Sequence, residues 1–538
     1  MGKLERIGDP IAAAIARGTT RCIALAIGLL AAPAVFAQSN VDTVLTNGKI
    51  LTVDADFAIV EALAIDAGRI VARGTTQQVT ELAGPDTQVI DLAGATVIPG
   101  LLDNHFHFTR AVETWHRQPR LDGVDSRREA LEILAAKAQS LGAAEWMFVQ
   151  GGWAPHQFAD APGGFTLAEL DGVAPENPLF LTQSYSVVFA NSLALEAVGL
   201  DPADGAERPA AGLATFQPPS LLLDQIPPTP SAQREQNLTD FMRALNRAGL
   251  TGVYSLGQSD YLAARAARGP LPVRIWETLA FNATDPASAD AAVALIEQSR
   301  PNTFDGQFGR FGLGENIYRP FFDLSSRSEP WPAEIMNEYA KLAAAAARGG
   351  WHIHEHVILN SSVTDLLDTL EVLAETERFD QLRWTLAHIY DISPENIARA
   401  KALGMTLAVH GVAMHGGVRM PLRQIADSGI VFGLGTDATV VSHYQPFVTL
   451  GWVVSGLDLA GNDVLDETLS REEALIAHTR SNAYLFFQED RLGSLEVGKQ
   501  ADLVVLDRDY MTVPAEQIKH IRPTLTMVGG RVVFSAAD

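Results

Sequence analysis

From about residue 95 to residue 437 the chain alternates short apolar runs with longer stretches whose apolar positions recur every three or four residues. Short apolar runs bounded by turn-formers read as buried strands, and the 3.6-residue period reads as amphipathic helix. The strand-like runs are 95–103, 251–255, 273–277, 310–315, 351–356, 383–388, 405–410 and 430–437. Helical stretches separate most of them, such as 237–249, with Leu238, Phe241, Met242 and Leu245 on one face, and 332–348. Strand–helix alternation is the pattern of a parallel sheet, and eight such units fit a closed (β/α)8 TIM barrel of the α/β class.

Two segments break this rhythm. Residues 41–97 and 491–538 read as short strands with turns, among them Asn47-Gly48 and Ala67-Gly68. Two small β blocks at opposite ends of the chain can pair into one β-sandwich that brackets the barrel, 98–490. The gap after the first strand, 109–228, is too long for a loop and carries strand-like runs of its own at Trp146 and Pro178. It closes in proline-rich stretches near Pro218 and Pro227, and as an insertion at the mouth of strand 1 it should overhang the active site.

The first 37 residues read as a targeting segment. Lys3, Arg6, Arg17 and Arg21 precede an apolar run of about 15 residues, short of the ~20 needed to span a bilayer. The run ends at Val35-Phe36-Ala37, which places cleavage after Ala37 and the mature protein in the periplasm or medium, with no membrane span left. Cys22, the only cysteine, is removed with it, which excludes disulfides, a cysteine nucleophile and thiolate metal ligands. The net charge of −24 argues against nucleic-acid and anionic-membrane partners, both of which need clustered positive charge. A small-molecule substrate is the expected partner.

The chemistry gathers at predicted strand ends. In Pro99-Gly-Leu-Leu-Asp-Asn-His105-Phe-His107 the two histidines are two residues apart, so on a strand they point to one side and can reach one metal ion. His354-Glu355-His356, His388 and Asp437 lie at the ends of three later strands. In a barrel those ends converge on one face. Separate readings as capping or core residues do not explain why all of them fall at strand ends.

These motifs resemble the amidohydrolase superfamily, specifically amidohydrolase family 3, whose members include N-substituted formamide deformylases. The resemblance rests on Val97 to His107, Gly151-Gly-Trp153, Leu167 to Pro178, Asn191-Ser-Leu-Ala-Leu, Arg383 to His388, Gly435-Thr-Asp437 and Gly493 to Asp507. It implies that His105 and His107 hold one divalent metal and that His356 and His388 hold a second or complete the first set. It also implies that Asp437 binds metal and acts as general base, with His388 the other candidate catalytic residue, and it suggests a homodimer. Zinc is the first candidate for the ion, with manganese or another divalent cation as alternatives and a count of one or two. Two positions depart from the family pattern. The fourth strand ends in Glu315 where many relatives have a lysine; Glu315 either bridges two metals as a ligand or contacts neighbouring Arg319. Ser184-Tyr185-Ser186 stands where relatives often have Asp-Gly-His, so relatives' substrates do not carry over.

The expected substrate contacts are Trp153, Tyr318, Arg319, His354 and His443. For His354 a structural role is open as well. His116, His410, His415 and His478 are read as ordinary loop or strand-end histidines, His156 as a further candidate for the pocket wall and His520 as a surface residue. Aromatic residues near the pocket (Phe106, Phe108, Trp115, Trp153, Tyr185, Phe189, Tyr318, Trp351) hint at an apolar substrate, although packing of the insertion onto the barrel explains them as well. The function read from all this is hydrolysis of a C–N bond in an amide, N-acyl or cyclic amide by metal-activated water. Ester, lactone or phosphoester hydrolysis at the same site is the alternative, and a non-catalytic periplasmic binding protein is the remote one. The targeting segment makes its own prediction: mass spectrometry of the exported protein should find Gln38 as the first residue, and retention of residues before it would refute cleavage after Ala37.

Overall fold

The computed structural model describes residues 41–185, 187–201, 218–302, 307–323 and 329–537. The expected signal segment lies outside them. Eight parallel strands form the central sheet: β1 (Leu101–Phe106), β2 (Leu250–Ser255), β3 (Arg274–Thr278), β4 (Phe308–Glu315), β5 (His352–Val357), β6 (Thr385–His388), β7 (Thr406–His410) and β8 (Phe432–Gly435). They neighbour one another in chain order. The sheet closes where Phe106 bridges Ala438 in parallel, with the Asp437 N–H donating to His105 O (3.0 Å) and the His107 N–H to Ala438 O (2.7 Å). Closure therefore falls at the residues that carry the predicted chemistry.

The helices between strands begin and end where local chemistry dictates. Pro286–Gln298 starts behind Asp285, whose carboxylate accepts from the Ser288 N–H while Pro286 supplies a preset φ. Ala333–Gly349 stops at Gly350, which takes φ 72° and turns the chain into β5. This helix buries Met336, Tyr339, Leu342, Ala343 and Ala346 against the barrel, the stripe that its periodicity predicts.

The two chain ends do share a sheet. Leu503–Leu506 runs antiparallel to Thr96–Pro99, in a six-stranded sheet that also holds strands from the first and last blocks. The core between the sheets takes Leu45, Leu63, Ile70 and Val97 from one end and Leu495, Leu503 and Met527 from the other. The run 95–103, read as one strand, is two. The Gly100 N–H still donates to Asp502 O (2.9 Å), but Leu101 already donates to Gly249 O (3.2 Å), so the chain changes sheets there. A side chain at Gly100 would meet Thr251 Oγ1 at 2.2 Å, so only glycine fits this crossing. The insertion adds a three-stranded sheet, Met147–Gln150, Leu179–Gln183 and Val187–Ala190, with an aromatic core of Trp153, Phe158, Phe165 and Phe189.

Arg274 on β3 ties barrel to sandwich. Its guanidinium donates to both oxygens of Asp502 (2.7 and 2.8 Å), and both side chains are buried. Removing one partner of a buried pair strands the other charge. Arg274→Ala should lower unfolding free energy by about 3–5 kcal/mol in urea melts; a loss below ~1 kcal/mol would show that the pair does not hold the two units together.

Candidate active site

Glu315 ends β4, and its carboxylate sits among four imidazoles. Oε2 lies 3.3 Å from His105 Nε2, 3.5 Å from His356 Nδ1 and 3.3 Å from His388 Nε2; Oε1 lies 3.6 Å from His107 Nε2. Asp437, just past β8, faces the same rings: Oδ1 is 3.1 Å from His107 Nε2 and 3.5 Å from His105 Nε2, and Oδ2 is 3.7 Å from His388 Nδ1. Burial alone would push the Glu315 carboxyl up, but the imidazoles of His105, His356 and His388 hold it well below the usual carboxylate range. Asp437 follows the same rule: burial raises it, and the rings of His105, His107 and His388 bring it down. His388 is pushed down to about 4 by burial and by neighbouring His356.

A second layer fixes these rings. His356 Nε2 lies 3.0 Å from the Asp323 carbonyl, which can only accept, so Nε2 carries the hydrogen and the Nδ1 lone pair faces the centre. His354 Nε2 meets His105 Nδ1 at 3.0 Å, and His410 Nδ1 meets His388 Nδ1 at 2.9 Å. Burial, reinforced by the neighbouring histidines, holds both His354 and His410 well below the usual histidine range, so they stay neutral. Asp103 staples β1 to the Asp437 loop: its carboxylate accepts from the Thr436 hydroxyl (2.6 Å) and from the N–H groups of Thr436 and His105 (3.1 Å each). Burial pushes its carboxyl up to about 7 despite these donors.

Above the centre opens a cavity of about 560 Å³. Barrel residues form its floor; Trp153, Ala154 and Gln183 to Tyr185 of the insertion form a wall, as an overhanging insertion requires. Of the expected substrate contacts, Trp153 and Arg319 line it. Three others do not. Tyr318 points into the apolar core, His443 is fully buried behind His415, and His354 is spent on His105. Tyr318 and His443 lie in loops whose turns aim their side chains into the core, and His354, on the same face of β5 as His356, lies one level deeper in the barrel. Most of the aromatic residues named from sequence are core; Trp153 and Tyr185 remain, joined by Phe322 and Tyr390. Glu315 turns to the histidines rather than to Arg319. His410, read from sequence as an ordinary strand-end histidine, holds His388; its place at the end of a predicted strand, like His388 and His356, was the available signal. Asp103 and Asp323 left none, since their partners are set by tertiary contact. A larger open hollow, about 660 Å³, lined by Arg274, Arg491 and Arg531, shares no residue with this cavity.

Three groups here have ligand atoms close enough to hold a cation: His105 with His107 and Asp437; Glu315 with His356 and His388; and His105 with His388 and His410. His105 Nε2 and Asp437 Oδ1 are buried without a hydrogen-bond partner, although they face each other. Lone pairs that converge on a point instead of on donors suit a cation, and the nitrogen and oxygen donor set suits zinc or a similar divalent ion. The first two groups meet at Glu315.

Comparison with known proteins agrees with this geometry. The sequence profile of the amidohydrolase family matches residues 88–534. An N-substituted formamide deformylase from Arthrobacter pascens is 26% identical, over 91% of this chain and 97% of that protein. Among solved structures, an uncharacterized metal-dependent hydrolase from Pyrococcus furiosus has a TM-score of 0.57 at 20% identity, covering 87% of this chain and 100% of its own. An atrazine chlorohydrolase from Arthrobacter aurescens, complexed with zinc and atraton, has a TM-score of 0.52 at 18% identity, covering 92% and 95%. These structural likenesses concern the fold.

The junction at Glu315 has a measurable consequence. Protein stripped of metal and dialysed against zinc should retain about two ions per chain by elemental analysis, and Glu315→Ala about one or fewer. Unchanged retention in the variant would show that Glu315 is not a ligand.

Proposed function

The chain belongs to the amidohydrolase family, and from that premise we propose that it hydrolyses a C–N bond in an amide, N-acyl or cyclic amide substrate. The observation that supports this most is the Glu315 carboxylate set among His105, His107, His356 and His388, with Asp437 beside it. We assign His105, His107 and Asp437 to one divalent ion and His356 and His388 to another, with Glu315 shared and zinc the first candidate. When bound, such ions polarise a carbonyl and lower the pKa of water to about 7.

The residues of the chain supply the rest. Asp437 stands at the rim of the histidine cluster and lines the cavity, so its carboxylate can take a proton from an attacking water and later give it to the leaving nitrogen. The water oxygen joins the acyl carbon, the C–N bond breaks, and the amine leaves with the transferred proton. His410 holds the His388 ring at Nδ1 (2.9 Å), and that ring packs beside Asp437 Oδ2 (3.7 Å). The wall of Trp153, Tyr390 and Phe322 shields the reacting groups from bulk water and offers aromatic contact to the acyl or amine part. Export to the periplasm, after cleavage behind Ala37, fits an enzyme that takes a small molecule from outside the cytoplasm.

The test is hydrolysis by metal-stripped and zinc- or manganese-reloaded protein of N-acyl amino acids, N-formyl amines, aryl amides, lactones and phosphotriesters. Metal-restored turnover of an amide class is expected. Turnover of lactones or esters alone would overturn the C–N assignment. Asp437→Asn should lower kcat roughly 10²–10⁴-fold, the usual span for a lost general base; near-normal kcat would remove the proton-transfer role.

A further inference from the structure

The cavity is divided by charge. Its acidic residues, Glu315 and Asp437, both belong to the histidine cluster; the rest of the lining is neutral apart from two guanidiniums, Arg110 and Arg319. Among the described residues neither guanidinium pairs with a carboxylate. That contrasts with the arginines that structure the protein: Arg120, Arg127, Arg274, Arg383 and Arg423 each hold an aspartate or glutamate at 2.5–2.7 Å. In a chain of net charge −24 acidic partners are plentiful, so two unpaired cations facing one cavity are a local reversal of the surface field.

Both are held without being neutralised. Arg319 lies over the Phe322 ring at 5.9 Å, and its backbone N–H donates to Ala283 O at 2.8 Å. Arg110 lies over the Tyr185 ring at 5.6 Å and donates to the Tyr185 hydroxyl. An aromatic ring within cation–π range holds each guanidinium at the cavity wall without neutralising it and leaves N–H donors for a ligand. Their positions set the reach. Arg110 sits in the first turn of Phe108–Thr114, directly after His107, and Arg319 follows Glu315 by one short loop. An anion held there shares one cavity with Glu315 and Asp437.

We propose that the cavity selects substrates bearing a carboxylate close to the scissile amide, and that Arg319 together with the Arg110–Tyr185 pair anchors that carboxylate. A planar carboxylate accepts two parallel bonds from a guanidinium fork, and aromatic neighbours Phe322, Tyr390 and Trp153 accommodate an apolar side chain on the same molecule. N-acyl derivatives of apolar or aromatic amino acids have this form. The inference rests on the amide-hydrolase reading for turnover, but the anchor is testable without it.

Calorimetry on the metal-loaded protein should compare 3-phenylpropionate with 3-phenylpropionamide, in wild type, Arg319→Met and Arg110→Met. Both arginines are exposed, so the methionine variants should keep the fold. The carboxylate should bind roughly tenfold or more tighter than the amide, the worth of one charge-assisted pair. That preference should fall toward unity in Arg319→Met and shrink in Arg110→Met. Equal binding of the two probes, no binding of the carboxylate at millimolar concentration, or a preference untouched by both substitutions would overturn the proposal; the last would assign the preference to the metal alone. In turnover, the kcat/KM ratio of N-acetylphenylalanine to its carboxamide should fall in the same variants. If no amide is hydrolysed, the C–N reading fails and the binding comparison still decides the anchor.

Discussion

A carboxylate buried in a barrel interior is tolerated only if positive charge or well-placed donors surround it. Glu315 is ringed by four imidazoles delivered by three other strands or their ends, and a cation held among their nitrogens would meet that condition. Much of the site follows from this constraint. β1 must bring His105 and His107 to the same height as the end of β4, β5 must present His356 rather than His354, and β6 must end on His388. The closure of the barrel between β1 and β8 then sets Asp437 opposite, through hydrogen bonds that run from one ligand segment to the other. Fold and site are thus one arrangement: the bonds that shut the sheet are made by the residues that carry the chemistry.

Beneath this cluster the interior is polar where a barrel core is usually branched and apolar. His354, His410 and Asp103 are buried, and each makes a hydrogen bond to a cluster residue or to the strand that carries one. Neutral imidazoles can accept from a ligand ring without adding charge, so they orient His105 and His388 without competing for Glu315. The barrel supplies chemistry at the floor, and the insertion and strand-end loops supply recognition on the walls.

The barrel was legible because its strands are short apolar runs at regular spacing, and the candidate ligands because they fall at the ends of those runs. Glu315 was legible as a position but not as a role; whether it faced Arg319 or the histidines depended on how β4 and β5 register. The split of 95–103 was hidden because Gly100 marks a change of partner strand, not a loss of apolar character. Tyr318 and His443 border the cavity along the chain but turn their side chains into the core, and His354, for which a structural role was open, takes one deeper on the same face of β5 as His356. Asp103, Asp323 and the Arg110–Tyr185 contact join residues far apart in sequence or on loops, where no period exists to read.

In the proposed assignment Glu315 joins two ligand groups into one metal centre. Anomalous diffraction at the zinc edge, from crystals of the zinc-loaded protein, tests it most directly. The account predicts one peak among His105, His107 and Asp437, a second among His356, His388 and Glu315, and the Glu315 carboxylate between them. A single peak among His105, His388 and His410, or zinc bound only outside the barrel, would contradict it.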